Sequence, residues 1–229
     1  MKQIMKPWIL LDTAEIPGNG GKLQLFQRGA EFSINIMGGG ILMATRAHGS
    51  EDALAELACT QIAGRSQPRV LIGGLGMGFT LAAALQHLGA NAQVVVAELV
   101  PGVVKWNRGA LGEFAGHPLR DERVTVREGD VAKLLRGERQ AYDAILLDVD
   151  NGPVGLTRKK NNWLYTFDGL TAAYATLRPS GVLAVWSAGP DPEFNERLRK
   201  VGFDVKQTHV RAHGKKGDLH TIWLAERGP

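Results

Sequence analysis

The sequence predicts an α/β fold: a doubly wound, mostly parallel seven-stranded sheet preceded by a small N-terminal β-meander. Three observations carry this. Short apolar runs alternate with helical patterns from residue 69 onward, as they do where helices cover a parallel sheet. The first apolar run, Val70, Leu71 and Ile72, enters four glycines within six positions and then a helix. Before residue 49 the apolar residues alternate singly with polar ones, the period of half-buried strands.

The meander is assigned to residues 1–48 and the sheet domain to 49–229. Trp8 to Asp12 is the first strand, and Pro17 to Gly21 is a turn cluster. Leu23 and Leu25, then Phe32, Ile34 and Ile36, mark two more strands. Gly38 to Gly40 turns the chain into Ile41 to Thr45. So small a unit cannot bury a good core alone, and it must pack on the main domain or on another subunit. Ser50, followed by Glu51 and Asp52, reads as a hydroxyl cap with acids in the first helical turn. Leu54, Leu57, Ala58 and Ile62 follow at helical spacing, and Gly64 ends the helix. Strand and helix then alternate as 70–73 with 78–88, 93–98 with 101–110, 123–127 with 130–136, 143–148 with 166–177, and 181–187 with 191–201. Strands near 203–209 and 219–225 close the chain with no helix between them, which predicts an antiparallel hairpin at one sheet edge.

Composition narrows the class. With 44% apolar and 22% charged residues the 229-residue chain is ordinary globular material. The single cysteine, Cys59, excludes an internal disulfide framework and thiolate clusters, and reads as a small core residue. No apolar run reaches membrane-spanning length and no secretory h-region is evident, so a cytoplasmic protein is expected. The net charge of +4 permits an anionic partner without demanding one; nucleic acid is not indicated. No histidine spacing suggests a metal site. His209 and His213 are expected to straddle a strand end, where they would not share a face.

In open α/β sheets, ligands lie beyond the C-terminal ends of the strands. After the first come Gly73, Gly74, Gly76 and Gly78, which let a ligand approach backbone at a helix N-terminus, or simply make a tight turn. After the second comes Glu98, twenty residues past Gly78, placed to accept from two ribose hydroxyls. After the third comes Asp130, a partner for an adenine amino group or a helix N-cap. After the fourth comes Asp148, emerging from the buried run Ile145 to Leu147 at the rim of the sheet. Asp150 is a second candidate, although Asp150 to Pro153 also makes a good turn. Val149 to Trp163 is a loop of about fifteen residues, long enough to be a lid. Its Arg158, Lys159 and Lys160 are a solvated charge run or a basic flap over an anionic acceptor. A second basic stretch, Arg211 to Lys216, is assigned to the last hairpin loop. Turn and acid together imply a nucleoside-type ligand.

These residues, in this order, resemble the spermidine synthase (polyamine aminopropyltransferase) family, within the class I S-adenosylmethionine-dependent transferase fold. Ile72 to Gly78 resembles its glycine motif, Glu98 its ribose-binding acid, and Gly129-Asp130 its adenine-side pair. Asp148 resembles its catalytic aspartate, with Asp150, Gly152 and Pro153 echoing the loop beyond. Leu164-Tyr165-Thr166 and Leu177 to Leu183 match two later motifs, and Met37 to Met43 resembles its N-terminal turn. The resemblance implies S-adenosylmethionine or its decarboxylated form as the bound donor. It also implies a small-molecule acceptor that is an amine, Asp148 orienting or deprotonating that amine, and a homodimer. Four positions depart from the family. Gly76 stands where it has an amine-holding aspartate, and Met43 where it has a glutamine. Ser50 to Leu57 lacks its Tyr-His-Glu, and the shortened loop after Asp148 carries basic rather than acidic residues. The acceptor end is therefore expected to be altered. Alternatives are a small-molecule methyltransferase, a non-catalytic nucleoside-binding protein on the same scaffold, and an NAD-dependent oxidoreductase. The last is disfavoured by Asp148 and the loop after it.

Overall fold

The computed structural model describes residues 6–18, 20–46, 48–149, 153, 161–213 and 216–229. Asp150, Gly152 and the basic run Arg158 to Lys160, on which part of the acceptor-site reading rests, lie outside the described residues.

Two sheets are present. The first is the antiparallel meander β1 (Ile9–Glu15), β2 (Lys22–Arg28), β3 (Glu31–Ile36) and β4 (Ile41–Ala44), paired in that order. The second contains β5 (Arg69–Gly73), β6 (Gln93–Glu98), β7 (Val124–Glu128), β8 (Tyr142–Leu147), β9 (Leu177–Ser187), β10 (Phe203–His213) and β11 (Lys216–Arg227). Its order is β10-β11-β9-β8-β5-β6-β7. The pairs β9-β8, β8-β5, β5-β6 and β6-β7 are parallel, while β11 runs antiparallel to both β9 and β10. The doubly wound sheet with its terminal hairpin is the architecture the alternation predicts.

The hairpin reaches further than its apolar pattern shows. Arg211 and His213 belong to β10 and Lys216 opens β11, so most of the basic stretch expected in a loop is strand. Cross-strand pairing supplies the backbone hydrogen bonds that hydropathy does not register. His209 and His213 likewise both lie within β10, correcting the expected strand end between them.

Helices α1 (Gly49–Gln61), α2 (Phe79–His87) and α3 (Pro101–Arg108) share one face of this sheet with the meander. Helices α4 (Val131–Gly137), α5 (Phe167–Thr176) and α6 (Pro192–Val201) cover the other. Alternation along β5 shows why. Val70 and Ile72 point into the first core and Leu71 into the second. Leu23, Leu25, Phe32 and Ile34 of the meander pack into the same cluster as Leu54, Leu81 and Val103, so its apolar face is buried in the core of the larger domain.

Local caps set the helix starts. Asp130 accepts from the Ala132 N–H, Thr166 from the Gly169 N–H, and Asp191 from the Phe194 N–H. The cap expected at Ser50 is not made. α1 begins after His48, and the Ser50 hydroxyl, fully buried, turns instead toward Glu51 and His220. The polar partners brought by β11 compete successfully for that hydroxyl. At the far end of the sheet Asp143, fully buried in β8, is held by the Arg69 N–H and by Arg178 and Arg65. No helix among the described residues is long and apolar enough to cross a membrane.

Candidate active site

The strand order places the C-terminal ends of β8, β5, β6 and β7 side by side, and the chain reverses its direction of winding between β5 and β8. Such a switch point opens a crevice. Gly74 lies in it with φ +87, and a Cβ there would come within 2.3 Å of the Asp148 carbonyl oxygen. No larger residue fits that approach. The Asp148 N–H donates to the Gly73 carbonyl at 2.9 Å, and the Gly74 N–H to Ala97 at 2.9 Å, lacing the ends of β8, β5 and β6 together.

Glu98, at the end of β6, is almost wholly buried. Its two oxygens accept from the Leu75 and Val100 N–H groups, each at 2.8 Å. The carboxylate therefore pins the glycine turn, and still has lone pairs for further donors. Burial pushes its pKa up, opposed by the backbone N–H groups of Val100, Leu75, Gly76 and Leu99. The turn is held from behind by Asn107 of α3, whose amide donates to the Gly76 carbonyl at 2.8 Å.

Gly74, Gly76, Glu98, Gly129, Asp130 and Asp148 line one mostly apolar cavity, together with Leu23, Ile34 and Leu42 of the meander. Asp130 caps α4 and also lines this cavity. Gly73 and Gly78 line neither this cavity nor the one beside it. A side chain at Gly73 would press on Leu147 and Val131, and one at Gly78 on Asn107, so both positions serve packing.

The second cavity, about 370 Å³, lies beyond Asp148. Glu51, Phe79, Thr80, Trp186, Ala212, Asp218 and His220 line it. Leu42, Met43, Gly76 and Asp148 belong to both cavities, so the two meet around these residues. The Thr80 hydroxyl, in the first turn of α2, donates to Asp148 Oδ2 at 2.6 Å. Burial raises the Asp148 pKa and Thr80 opposes the rise. Glu51 is pushed up to about 7, first by burial and then by the negative charge of Asp148, with Ser50 opposing.

Sequence reasoning missed Glu51, Thr80, Trp186 and His220. The acid at Glu51 was legible only as a first-turn helix residue, and Thr80 only as the end of the glycine stretch. The later motif Leu164-Tyr165-Thr166 acquires three separate uses: Leu164 lines the first cavity, the Tyr165 hydroxyl donates to the Val149 carbonyl at 3.2 Å, and Thr166 caps α5. The residue after Asp148 is thus tied down by the start of the next helix.

Comparison with known proteins identifies the fold and the family. No curated protein matches the chain. Many solved structures share its fold, among them spermidine synthases and a probable one. A spermidine synthase in complex with the transition state analogue AdoDATO is 17% identical, with TM-score 0.73 over 96% of this chain and 72% of that one. The spermidine synthase from Thermotoga maritima is 17% identical, with TM-score 0.74 over 96% and 73%. A probable spermidine synthase from Corynebacterium glutamicum ATCC 13032 is 16% identical, with TM-score 0.64 over 95% and 80%. Residues 34–200 match the family model described as the spermine/spermidine synthase domain. That match spans most of the sequence, and the chain belongs to the spermine/spermidine synthase family, a family of transferases.

Proposed function

We propose that the chain transfers the aminopropyl group of decarboxylated S-adenosylmethionine to a small amine. The observation that carries this reading is the meeting of two cavities at Asp148. The cavity with the glycine turn, Glu98 and Asp130 suits a nucleoside, with Glu98 accepting from ribose hydroxyls and Asp130 beside the base. The cavity with Glu51 and Asp148 suits a cationic amine. A nucleophile in the second would face a sulfonium carbon in the first, and the chain's work is positioning and charge. Asp148 would orient the amine and favour the adjacent sulfonium cation. The amine nitrogen attacks the carbon on sulfur, the C–S bond breaks with its electron pair going to sulfur, and neutral methylthioadenosine leaves.

The acceptor side is divergent in this reading. Carboxylates remain at Glu51 and Asp148, while Gly76 and Met43 stand where the resemblance has polar groups. Methyl transfer from S-adenosylmethionine is the second reading, favoured by the missing carboxylate on the glycine turn. The exposed apolar side chains of β1, Ile9, Leu10 and Leu11, support a homodimer, since β1 ends its sheet.

The test offers both donors with a panel of diamines and monoamines and follows the nucleoside product by mass spectrometry. Aminopropyl transfer yields methylthioadenosine, and methyl transfer yields S-adenosylhomocysteine. Release of neither product with any amine, from protein that binds methylthioadenosine, would leave a non-catalytic nucleoside-binding protein.

A further inference from the structure

A hydrogen-bonded chain runs from Glu51 through Ser50 to His220, and both of its ends line the second cavity. The Ser50 hydroxyl lies 2.6 Å from Glu51 Oε2, and His220 Nδ1 lies 2.9 Å from the same hydroxyl. Ser50 is fully buried, so its hydroxyl serves these two partners and not bulk water. His220 is only partly buried, and its ring packs edge-on against Trp186 at 4.7 Å between centroids. The three residues come from two distant parts of the sequence, the first turn of α1 and the middle of β11, and meet only because α1 lies against the terminal hairpin.

We propose that Glu51, Ser50 and His220 form a proton outlet for the acceptor amine, with Glu51 as the group that takes the proton and Ser50 and His220 as positioning and relay residues. This rests on the amine-transfer reading above. An attacking amine becomes a secondary ammonium once the C–S bond has broken. It loses one proton to the Glu51 carboxylate. Protonated Glu51 then donates to the Ser50 oxygen, the Ser50 hydroxyl donates to His220 Nδ1, and the imidazolium so formed releases a proton from Nε2 toward solvent. The ring, left protonated on Nδ1, exchanges that proton with water for one on Nε2, and with Glu51 ionised again the starting state is restored with no oxidant or further reactant.

The surroundings suit the role. Glu51 faces Asp148 beyond β8, His220 and Asp218 on β11, and Asp52 on its own helix, the last paired with His48 at 2.8 Å. From the other packed elements α2 offers Phe79 and Thr80, β9 offers Trp186, and β10 offers Ala212 to the same cavity. With its pKa near 7, Glu51 can accept and release a proton at neutral pH, whereas an ordinary glutamate would be a weak base there. Burial lowers the His220 pKa, with Asp218 opposing, so the imidazole starts neutral and able to accept.

The experiment uses the intact chain with whichever amine the product assay identifies. Glu51→Gln is expected to lower kcat by roughly a hundredfold, the scale of a lost general base, with methylthioadenosine affinity unchanged. Ser50→Ala and His220→Ala are expected to lower kcat by about tenfold and to shift the acid limb of the pH–rate profile. Added imidazole should restore activity to His220→Ala but not to Glu51→Gln, a rescue that a packing defect would not show. Glu51→Gln with kcat within threefold of wild type and an unaltered pH profile would overturn the proposal. So would His220→Ala that is folded, slow and indifferent to imidazole. Wild-type protein that binds methylthioadenosine yet transfers to no amine overturns the amine-transfer reading and the outlet with it, before any variant is made.

Discussion

The Met43 sulfur lies 3.1 Å from the point that a Cβ on Gly76 would occupy. Two positions where the resemblance expects polar side chains, widely separated in sequence, therefore lie together in space. The thioether fills the volume into which a side chain on the glycine turn would project, where the two cavities join. An apolar contact stands where the resemblance would place a charged group.

This pair predicts a coupling. Gly76→Asp alone should cost on the order of 1–2 kcal/mol, because Gly76 has φ +52 and because Met43 is in the way. Combined with Met43→Ala the cost should shrink by at least about 0.5 kcal/mol, the lower end for residues in contact. Denaturant unfolding of both single variants and the double variant measures it; strict additivity would mean the two residues do not compete for this space.

Thr80 should matter through Asp148. Thr80→Val removes a donor to a partly buried carboxylate, a loss of about 1.5–3 kcal/mol when the group is charged. The folded Asp148 pKa is raised above 3.8, so its contribution is fully present below that value and lost as pH rises through the folded pKa. Thr80 counteracts that loss. The destabilisation by Thr80→Val should therefore be larger at pH 8 than at pH 5. Equal effects at the two pH values would count against the 2.6 Å hydrogen bond being made to an ionised Asp148.

Glu51 predicts a pH window. Its folded pKa, about 7, lies above 4.5, so the group stabilises the fold fully below pH 4.5 and loses that contribution as pH rises through about 7. The span corresponds to on the order of 3 kcal/mol. Glu51→Gln cannot titrate. Its stability relative to wild type should improve across this window, read from urea midpoints between pH 4.5 and pH 8. A constant difference would remove the case for a perturbed Glu51.

Glu98→Ala should lose ligand and stability together. Each backbone N–H left unpaired costs about 1–3 kcal/mol, and Glu98 serves those of Leu75 and Val100. Methylthioadenosine affinity should fall at least about tenfold, since hydrogen bonds to a charged group are worth about 1.5–3 kcal/mol. Titration calorimetry on protein confirmed folded by circular dichroism decides; undiminished affinity would refute the ribose assignment.

Assembly is tested on β1. Ile9 and Leu11 are exposed and sit on an edge strand. Replacing both with lysine should convert a dimer to a monomer in light scattering at micromolar concentration, with the fold retained. A wild-type monomer would end the proposal.

The sheet and the nucleoside-side candidates were legible in the sequence because both are written locally. Val70 to Ile72 running into glycines, Val94 to Ala97 ending at Glu98, and Ile145 to Leu147 ending at Asp148 each combine a buried period with a stop, and parallel strands place all such stops on one edge. The cavity beyond Asp148 was not written that way. Glu51 satisfies the rule for an acid in a first helical turn, and nothing near it in sequence shows that it will face Asp148. Ser50 looks like a cap until β11 brings His220 to 2.9 Å from it. Gly76 and Met43 read as two separate losses until their contact is seen. Periodicity and turn chemistry act over a few residues and so determine elements. Which side chains meet depends on sheet order and helix packing across 170 residues of separation, as between Ser50 and His220, and only the folded chain decides that.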